Sequence, residues 1–205
     1  LLIFFAQTCF WFKELLQNRN YRDSLLGLFT VVLLFVFLNI GGRPMNMKGD
    51  AEIHFNLGQA FVDKNKPEKA LTHFQNAVQI DSTYWQAWFN LGSIEGMRGN
   101  LDAAKNIFLK VTVSEPNRPE VWVNLAHAQR GLEQNESAIF SYEQALRINP
   151  YLPKIYLELL QLCTQLGQTE KAEKVLNKAI KIYPKDRKKI LSLFSNLQTR
   201  FRTSF

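Results

Sequence analysis

The sequence repeats itself with a period of 34 residues, and this feature limits the possible folds more than any other. Two kinds of position recur one period apart: Leu57-Gly58, Leu91-Gly92, Leu125-Ala126 and Leu159-Leu160, and then Ala70, Ala104, Ala138 and Ala172. Small residues at fixed places in each period let two helices approach closely. A period of this length therefore predicts helix hairpins stacked in a row.

Bulky residues fill two further positions of each period. The first position holds His54, Trp88, Trp122 and Tyr156, and the second holds Phe74, Phe108, Tyr142 and Leu176. The second helix of each hairpin should stop near a third position, which holds Ser82, Pro116, Pro150 and Pro184. Proline has this effect because it lacks the amide hydrogen and restricts the residue before it.

A fourth position predicts the turn inside each hairpin. Gly99 and Gly167 suit a left-handed backbone conformation, and Asn65 tolerates it. Glu133 stands at the same position in the third period. We therefore expect that turn to have a different shape.

These residues resemble the tetratricopeptide repeat family across residues 51–186, as repeats at 51–84, 85–118, 119–152 and 153–186. The resemblance implies an all-α, right-handed α-solenoid of four hairpins whose first helices line a concave face. Residues 187–205 follow as a predicted capping helix and tail, with an apolar stripe of Ile190, Leu193, Phe194, Leu197 and Phe201. The stripe should cover the fourth repeat, and the alternative is that it docks a partner helix.

The resemblance places a peptide-binding groove on the first helices. The candidate groove residues are Phe55, Asn56, Gln59, Phe89, Asn90, Val123, Asn124, His127, Arg130 and Gln161. Asn56, Asn90 and Asn124 share one position of the period. Such a ladder of amides can form hydrogen bonds with the backbone of an extended peptide. A similar ladder occurs in the repeat domain of O-GlcNAc transferase. The alternative is that asparagine is simply common there, and Glu158 interrupts the series.

A carboxylate clamp of the kind found in chaperone-binding repeats is not expected. Its lysine, arginine and asparagine positions correspond to Phe55, Gln59, Glu120 and Asn124. The sequence also lacks a catalytic constellation, a set of metal ligands and a cofactor motif. We expect His54 to fill the tryptophan position, His73 to be a solvated helix residue and His127 to face the groove.

An uncharged apolar run at residues 24–41 is about long enough to cross a hydrocarbon core of roughly 30 Å. It predicts a transmembrane helix, and the alternative is a buried helix of a globular domain. Residues 1–12 look like the end of a preceding transmembrane helix, 13–23 like a short basic loop and 42–50 like a linker. Lys13, Arg19 and Arg22 place that loop in the cytoplasm, so the repeats should lie on the extracytoplasmic side of an integral membrane protein.

Basic residues gather at the C-terminal end. The chain has a net charge of +7, yet residues 51–153 contain nine Lys or Arg and eleven Asp or Glu. From Lys171 onward basic residues dominate, which makes this end a candidate for contact with anionic lipid. The alternative is an ordinary solvated face. No nucleic acid partner is expected, because aromatic residues for base stacking are not interleaved.

Two functions fit these features. The first is a membrane-tethered interaction module that binds a peptide or protein partner in its groove and is not itself catalytic. The alternative is the acceptor-presenting C-terminal region of a multi-pass membrane glycosyltransferase that uses lipid-linked sugar. The order of spans, basic loop and repeats resembles protein O-mannosyltransferases with repeat tails, whose catalytic loop this chain lacks. Bacterial assembly factors for cytochrome c or surface polysaccharide share a similar layout.

Overall fold

The computed structural model describes Thr30, Val32 and residues 47–202. The chain divides into two compact units, Leu1–Met47 and Lys48–Phe205, and nearly all of the described residues belong to the second. The predicted segments at 1–12 and 13–23 and almost all of the predicted span at 24–41 lie outside the described residues. Among the residues that are described, no helix combines the length and the apolar character needed to cross a membrane.

Within residues 47–202 the structure contains nine α-helices and no β-strand. They are α1 (Met47–Asp63), α2 (Pro67–Ile80), α3 (Trp85–Met97), α4 (Leu101–Ser114), α5 (Pro119–Gly131), α6 (Asn135–Ile148), α7 (Pro153–Gln165), α8 (Thr169–Ile182) and α9 (Arg187–Arg202), with a short 3₁₀ helix at Pro184–Asp186 before α9. Consecutive helices pack as pairs in an all-helical solenoid. Helix α1 begins at Met47, inside the segment that the sequence predicts as a linker.

The four turns inside the pairs have the same shape. Asn65, Gly99, Glu133 and Gly167 all have positive φ, between 53° and 84°. At each turn the following residue donates its amide to the carbonyl five residues back, as Gln134 does to Gln129 at 2.9 Å. The prediction of a different turn at Glu133 was wrong, because the packed helices on either side impose the left-handed conformation despite its side chain.

Close approach of the paired helices depends on the small residues. A Cβ atom added at Gly58 would lie 2.6 Å from the ring of Phe74, and one added at Gly92 would lie 3.0 Å from the ring of Phe108. Both phenylalanines are buried. The predicted packing of a small residue in one helix against a bulky residue in the other is thus present in the first two pairs.

Indole nitrogens tie successive pairs together. Trp88 donates to the carbonyl of Ser82 at 2.9 Å, and Trp122 donates to the carbonyl of Pro116 at 2.8 Å. Each bond joins the first helix of one pair to the segment that follows the second helix of the preceding pair. The tryptophan position therefore fills space and also satisfies a carbonyl beyond a helix end.

Helix α9 covers the end of the solenoid. Ile190 and Phe194 are buried in the same cluster as Leu176 and Ala179 of α8, and Leu197 packs against that cluster. The predicted capping arrangement is confirmed for these residues. It follows from the need to cover apolar surface at the open end of a stack.

Candidate functional site

The candidate site is the surface of the first helices α1, α3, α5 and α7, which carry all ten predicted groove residues. A pocket of about 300 Å³ lies among α3, α4 and α5. Its lining includes Ser93, Gly96, Met97, Phe108, Asn124 and His127. Gly96 leaves room here, because a Cβ atom at that position would meet only the Cβ of Ala104, at 3.7 Å.

The three ladder asparagines do not offer equal hydrogen-bonding groups. Asn56 is exposed, whereas Asn90 is half-buried and its Nδ2 donates to the carbonyl of Gln86 in its own helix at 2.9 Å. Asn124 is half-buried and lines the pocket. A peptide backbone would therefore find the amide of Asn124 beside a cavity, while that of Asn90 is already engaged.

The apolar candidates contribute largely to the core. Phe55 packs on Phe74 and Tyr84, with ring centroids 5.8 Å and 5.1 Å apart, and Phe89 packs on Phe108 at 5.9 Å. All of the remaining uncharged candidates are half-buried: Gln59, Val123 and Gln161. The most exposed apolar side chain at the pocket is that of Met97, which is 74% exposed.

A polar cluster adjoins the pocket through His127. The Nε2 atom of His127 and the hydroxyl of Tyr142 both lie 2.8 Å from Oε2 of Glu158. Nitrogens of Arg130 and Lys154 lie 3.9 Å from the same carboxylate. These five residues, which we call the Glu158 cluster, join α5, α6 and α7 and so connect the third and fourth helix pairs.

The carboxylate of Glu158 is well suited to stay ionised. Burial alone would raise its pKa, but hydrogen bonds from Tyr142 and His127 and the nearby charges hold the pKa below its usual value. Burial and the bonded carboxylate raise the pKa of Tyr142 well above its ordinary value, which keeps its hydroxyl a donor. The Glu158 carboxylate is therefore a fixed negative charge beneath three more exposed members of the cluster, His127, Arg130 and Lys154.

The sequence missed this cluster, although two signals were visible. Glu158 stands at the ladder position, and Tyr142 brings a hydroxyl to a position that holds phenylalanine in the first two repeats. Together they place a donor and a carboxylate on neighbouring helices.

His73 differs from the expectation for a solvated helix residue. It is half-buried, and its Nδ1 atom lies 3.1 Å from Nδ1 of His54. Its ring stacks on Phe61. The prediction that His73 is solvated was wrong, because its neighbours come from α1.

No metal or cofactor site can be assigned to the part of the chain that the structure describes. Among those residues, no three His, Cys, Asp or Glu side chains come together in a way that could hold a metal ion. Burial raises the pKa of the Cys163 thiol to about 11, so this cysteine is an unreactive core residue.

Comparisons with known proteins identify the repeats. Residues 129–197 match the family model "Tetratricopeptide repeat", and residues 58–94 match "TPR repeat". The crystal structure of MamA is similar, with a TM-score of 0.63 and 20% identity over 83% of this chain and 95% of that one. The first TPR of Spaghetti (RPAP3), bound to the HSP90 peptide SRMEEVD, has a TM-score of 0.57 and 16% identity, over 58% of this chain and 95% of that one.

One curated relative bears on the predicted layout. Protein O-mannosyl-transferase TMTC1 of Homo sapiens is 27% identical over 88 residues, which is 43% of this chain and 10% of that protein. The chain spans between 9% and 22% of the length of the first curated relatives that it matches.

Proposed function

We propose that this chain, which contains tetratricopeptide repeats, is a protein–protein interaction module that binds an extended peptide of a partner along helices α1, α3, α5 and α7. The observation that carries the proposal is the pocket beside Asn124 and His127, which offers apolar space next to the Asn124 amide and the Glu158 cluster. Pockets of this kind take an apolar side chain while polar groups at the rim fix the backbone. The peptide complex of the RPAP3 domain is a precedent within the same fold.

A peptide-binding measurement with matched variants tests this proposal. The full chain, held in neutral nanodiscs, is titrated with a fluorescent peptide library, and hits should bind with Kd values on the order of micromolar. Asn124→Ala should weaken binding about 5- to 10-fold, the loss expected for one good hydrogen bond. Asn106→Ala, an exposed asparagine on α4, should change Kd less than twofold. Equal effects of the two variants, or no binding by any peptide, would remove the proposal.

Membrane tethering is a further part of the proposal, with residues 24–41 as the anchor and the repeats on the extracytoplasmic side. It rests on the length of the uncharged run and on the basic residues of the 13–23 loop. A cysteine at exposed Ser137 of the Cys9→Ser chain should react with a membrane-impermeant thiol reagent in intact cells. Cys163 is buried and stays silent in this assay. Labelling only after lysis would contradict the proposed orientation and place the repeats in the cytoplasm.

A second candidate function is presentation of acceptor protein within a membrane glycosyltransferase. The observation that favours it is the similarity to Protein O-mannosyl-transferase TMTC1. Under this proposal the peptides that bind the repeats should themselves be glycosylated by the complete enzyme, and Asn124→Ala should lower their modification. Peptides that bind the repeats but are never glycosylated would contradict acceptor presentation and leave the interaction module as the only proposed function.

A further inference from the structure

Six basic side chains crowd the surface where α8 ends and α9 begins. They are Lys178, Lys181, Lys185, Arg187, Lys188 and Lys189, and we call them the basic face. All six are exposed. Among the described residues, none of the six forms an ion pair with a carboxylate. Asp186 is the only acidic residue from position 174 to the end of the chain.

Two basic residues just before the basic face are paired with carboxylates. Lys171 lies 3.9 Å from Glu136 and Lys174 lies 4.0 Å from Glu170, both at the start of the same helix α8. Together with Lys178 and Lys181 they line an open depression of about 880 Å³, which also contains Glu143 and Glu170. Carboxylates therefore balance the positive charges at the beginning of α8, and this balancing ends where the basic face begins.

Three residues of the basic face, Arg187, Lys188 and Lys189, stand where positive charge is unfavourable for the fold itself. The N-terminus of a helix carries partial positive charge, so acidic residues stabilise its first turn and basic ones destabilise it. Acidic residues occupy the first turn of α2, α4, α5, α6 and α8. Helices α3 and α7 also have no acid there, but among the described helices only α9 begins with three basic residues, Arg187-Lys188-Lys189, directly after Asp186. A local preference that is broken without structural gain points to function.

The chemistry of the basic face favours a lipid surface over a nucleic acid. Tyr183 is the one aromatic residue between positions 178 and 189, and its hydroxyl is buried, so this segment has no platform for base stacking. Leu191 is 40% exposed and lies three positions after Lys188, on the same side of α9. Cations flanking an exposed leucine are typical of segments that lie on anionic bilayers.

We propose that the basic face binds the anionic headgroups of a lipid membrane surface. Each lysine close to such a surface adds attraction, and the effect of several is cumulative. The proposal does not depend on the peptide groove, because the basic face is on α8, the 3₁₀ helix and α9 rather than on α1, α3, α5 and α7.

In the test, the full chain is held in neutral phosphatidylcholine nanodiscs, and lipid vesicles are then added in excess. Co-sedimentation is measured with vesicles containing about 30% phosphatidylserine and with pure phosphatidylcholine vesicles. We expect binding only to the anionic vesicles. The variant Lys181→Gln/Lys185→Gln should weaken it roughly 10- to 30-fold, and the control Lys64→Gln/Lys66→Gln, with the same net charge, less than twofold.

A charge reversal separates a lipid contact from a structural role. Lys188→Glu also removes two units of positive charge, so it should weaken sedimentation with anionic vesicles by a similar roughly 10- to 30-fold. It should leave the Tm unchanged or higher, because it places an acid in the first turn of α9. Three results would each overturn the proposal: equal losses in the two double variants, equal binding to neutral and anionic vesicles, or displacement of the vesicles by a single-stranded RNA oligonucleotide that binds more tightly at the same salt.

Discussion

The hydroxyl of Tyr142 donates a hydrogen bond of 2.8 Å to the carboxylate of Glu158. Tyr142 is fully buried, and the side chain of Glu158 is only 16% exposed. The bond joins α6 to α7, so it fixes the third helix pair against the fourth at the candidate site. Hydrogen bonds to charged groups contribute more than neutral ones, especially away from water.

Replacing Tyr142 by phenylalanine should destabilise the protein by about 1.5–2 kcal/mol. Phenylalanine fills the same position in the first two repeats, so the ring should fit and the loss should come from the missing hydroxyl. Glu158 would then keep one close donor, His127. Urea unfolding followed by circular dichroism at neutral pH measures the change in the free energy of unfolding.

Tyr156→Phe is the matched control for this variant. Tyr156 is also buried, but it makes no hydrogen bond with a carboxylate in the described part of the chain. We expect its replacement to change the free energy of unfolding by less than about 0.5 kcal/mol. Similar losses in the two variants would mean that the Tyr142 hydroxyl contributes nothing beyond general packing.

The Glu158 cluster should also make stability depend on pH. Because the folded state lowers the pKa of Glu158, the ionised carboxylate stabilises the fold above the ordinary glutamate pKa of about 4.3. This contribution is lost as the pH falls through the lower, folded-state pKa. The difference in unfolding free energy between the wild type and Glu158→Gln should therefore be largest near neutral pH and shrink below about pH 4. A difference that stays constant from neutral to acidic pH would contradict this assignment.

The sequence predicted the helix pairs well, because their determinants are local and repeated. Gly58 opposite Phe74 and Gly92 opposite Phe108 are contacts between positions fixed within one repeat, so each period reports the same packing again. The cap formed by Ile190 and Phe194 follows from helical spacing beside an uncovered helix.

The candidate site was harder to predict, because its contacts join side chains from different repeats. The sequence placed Glu158 at the ladder position but not the Tyr142 hydroxyl and the His127 ring that meet it. It likewise could not show that Asn90 turns its amide to Gln86. Side-chain direction and shared partners depend on the packed structure, and periodicity carries no information about them.

The turn at Glu133 offers a stabilising substitution. Glu133 has a φ of 59°, in the left-handed region that is costly for residues with a Cβ atom. Glu133→Gly should raise the free energy of unfolding by about 0.5–1 kcal/mol, after the greater chain entropy of glycine is deducted. Differential scanning calorimetry or urea unfolding can measure this gain.

Two further variants isolate the backbone contribution at these turns. Glu133→Ala keeps the Cβ atom and should give less than half of the gain. Gly99→Ala should cost about 1 kcal/mol, although an added Cβ would meet nothing within 4 Å, because the φ of Gly99 is 84°. An equal gain from alanine and glycine at position 133 would show that the glutamate side chain, and not the backbone, is responsible.

The last prediction concerns the buried polar pair of Ser141 and Gln129. The Ser141 hydroxyl donates to Oε1 of Gln129 at 2.7 Å, and the two residues are 1% and 7% exposed. Ser141→Ala should cost about 1–2 kcal/mol, because it leaves a buried amide oxygen without its donor. In Gln129→Leu/Ser141→Ala both polar groups are gone, so the cost should be smaller than the sum of the single losses. A double-mutant cycle in urea should give a coupling of about 1 kcal/mol, and strict additivity would show that the bond does not hold α5 to α6.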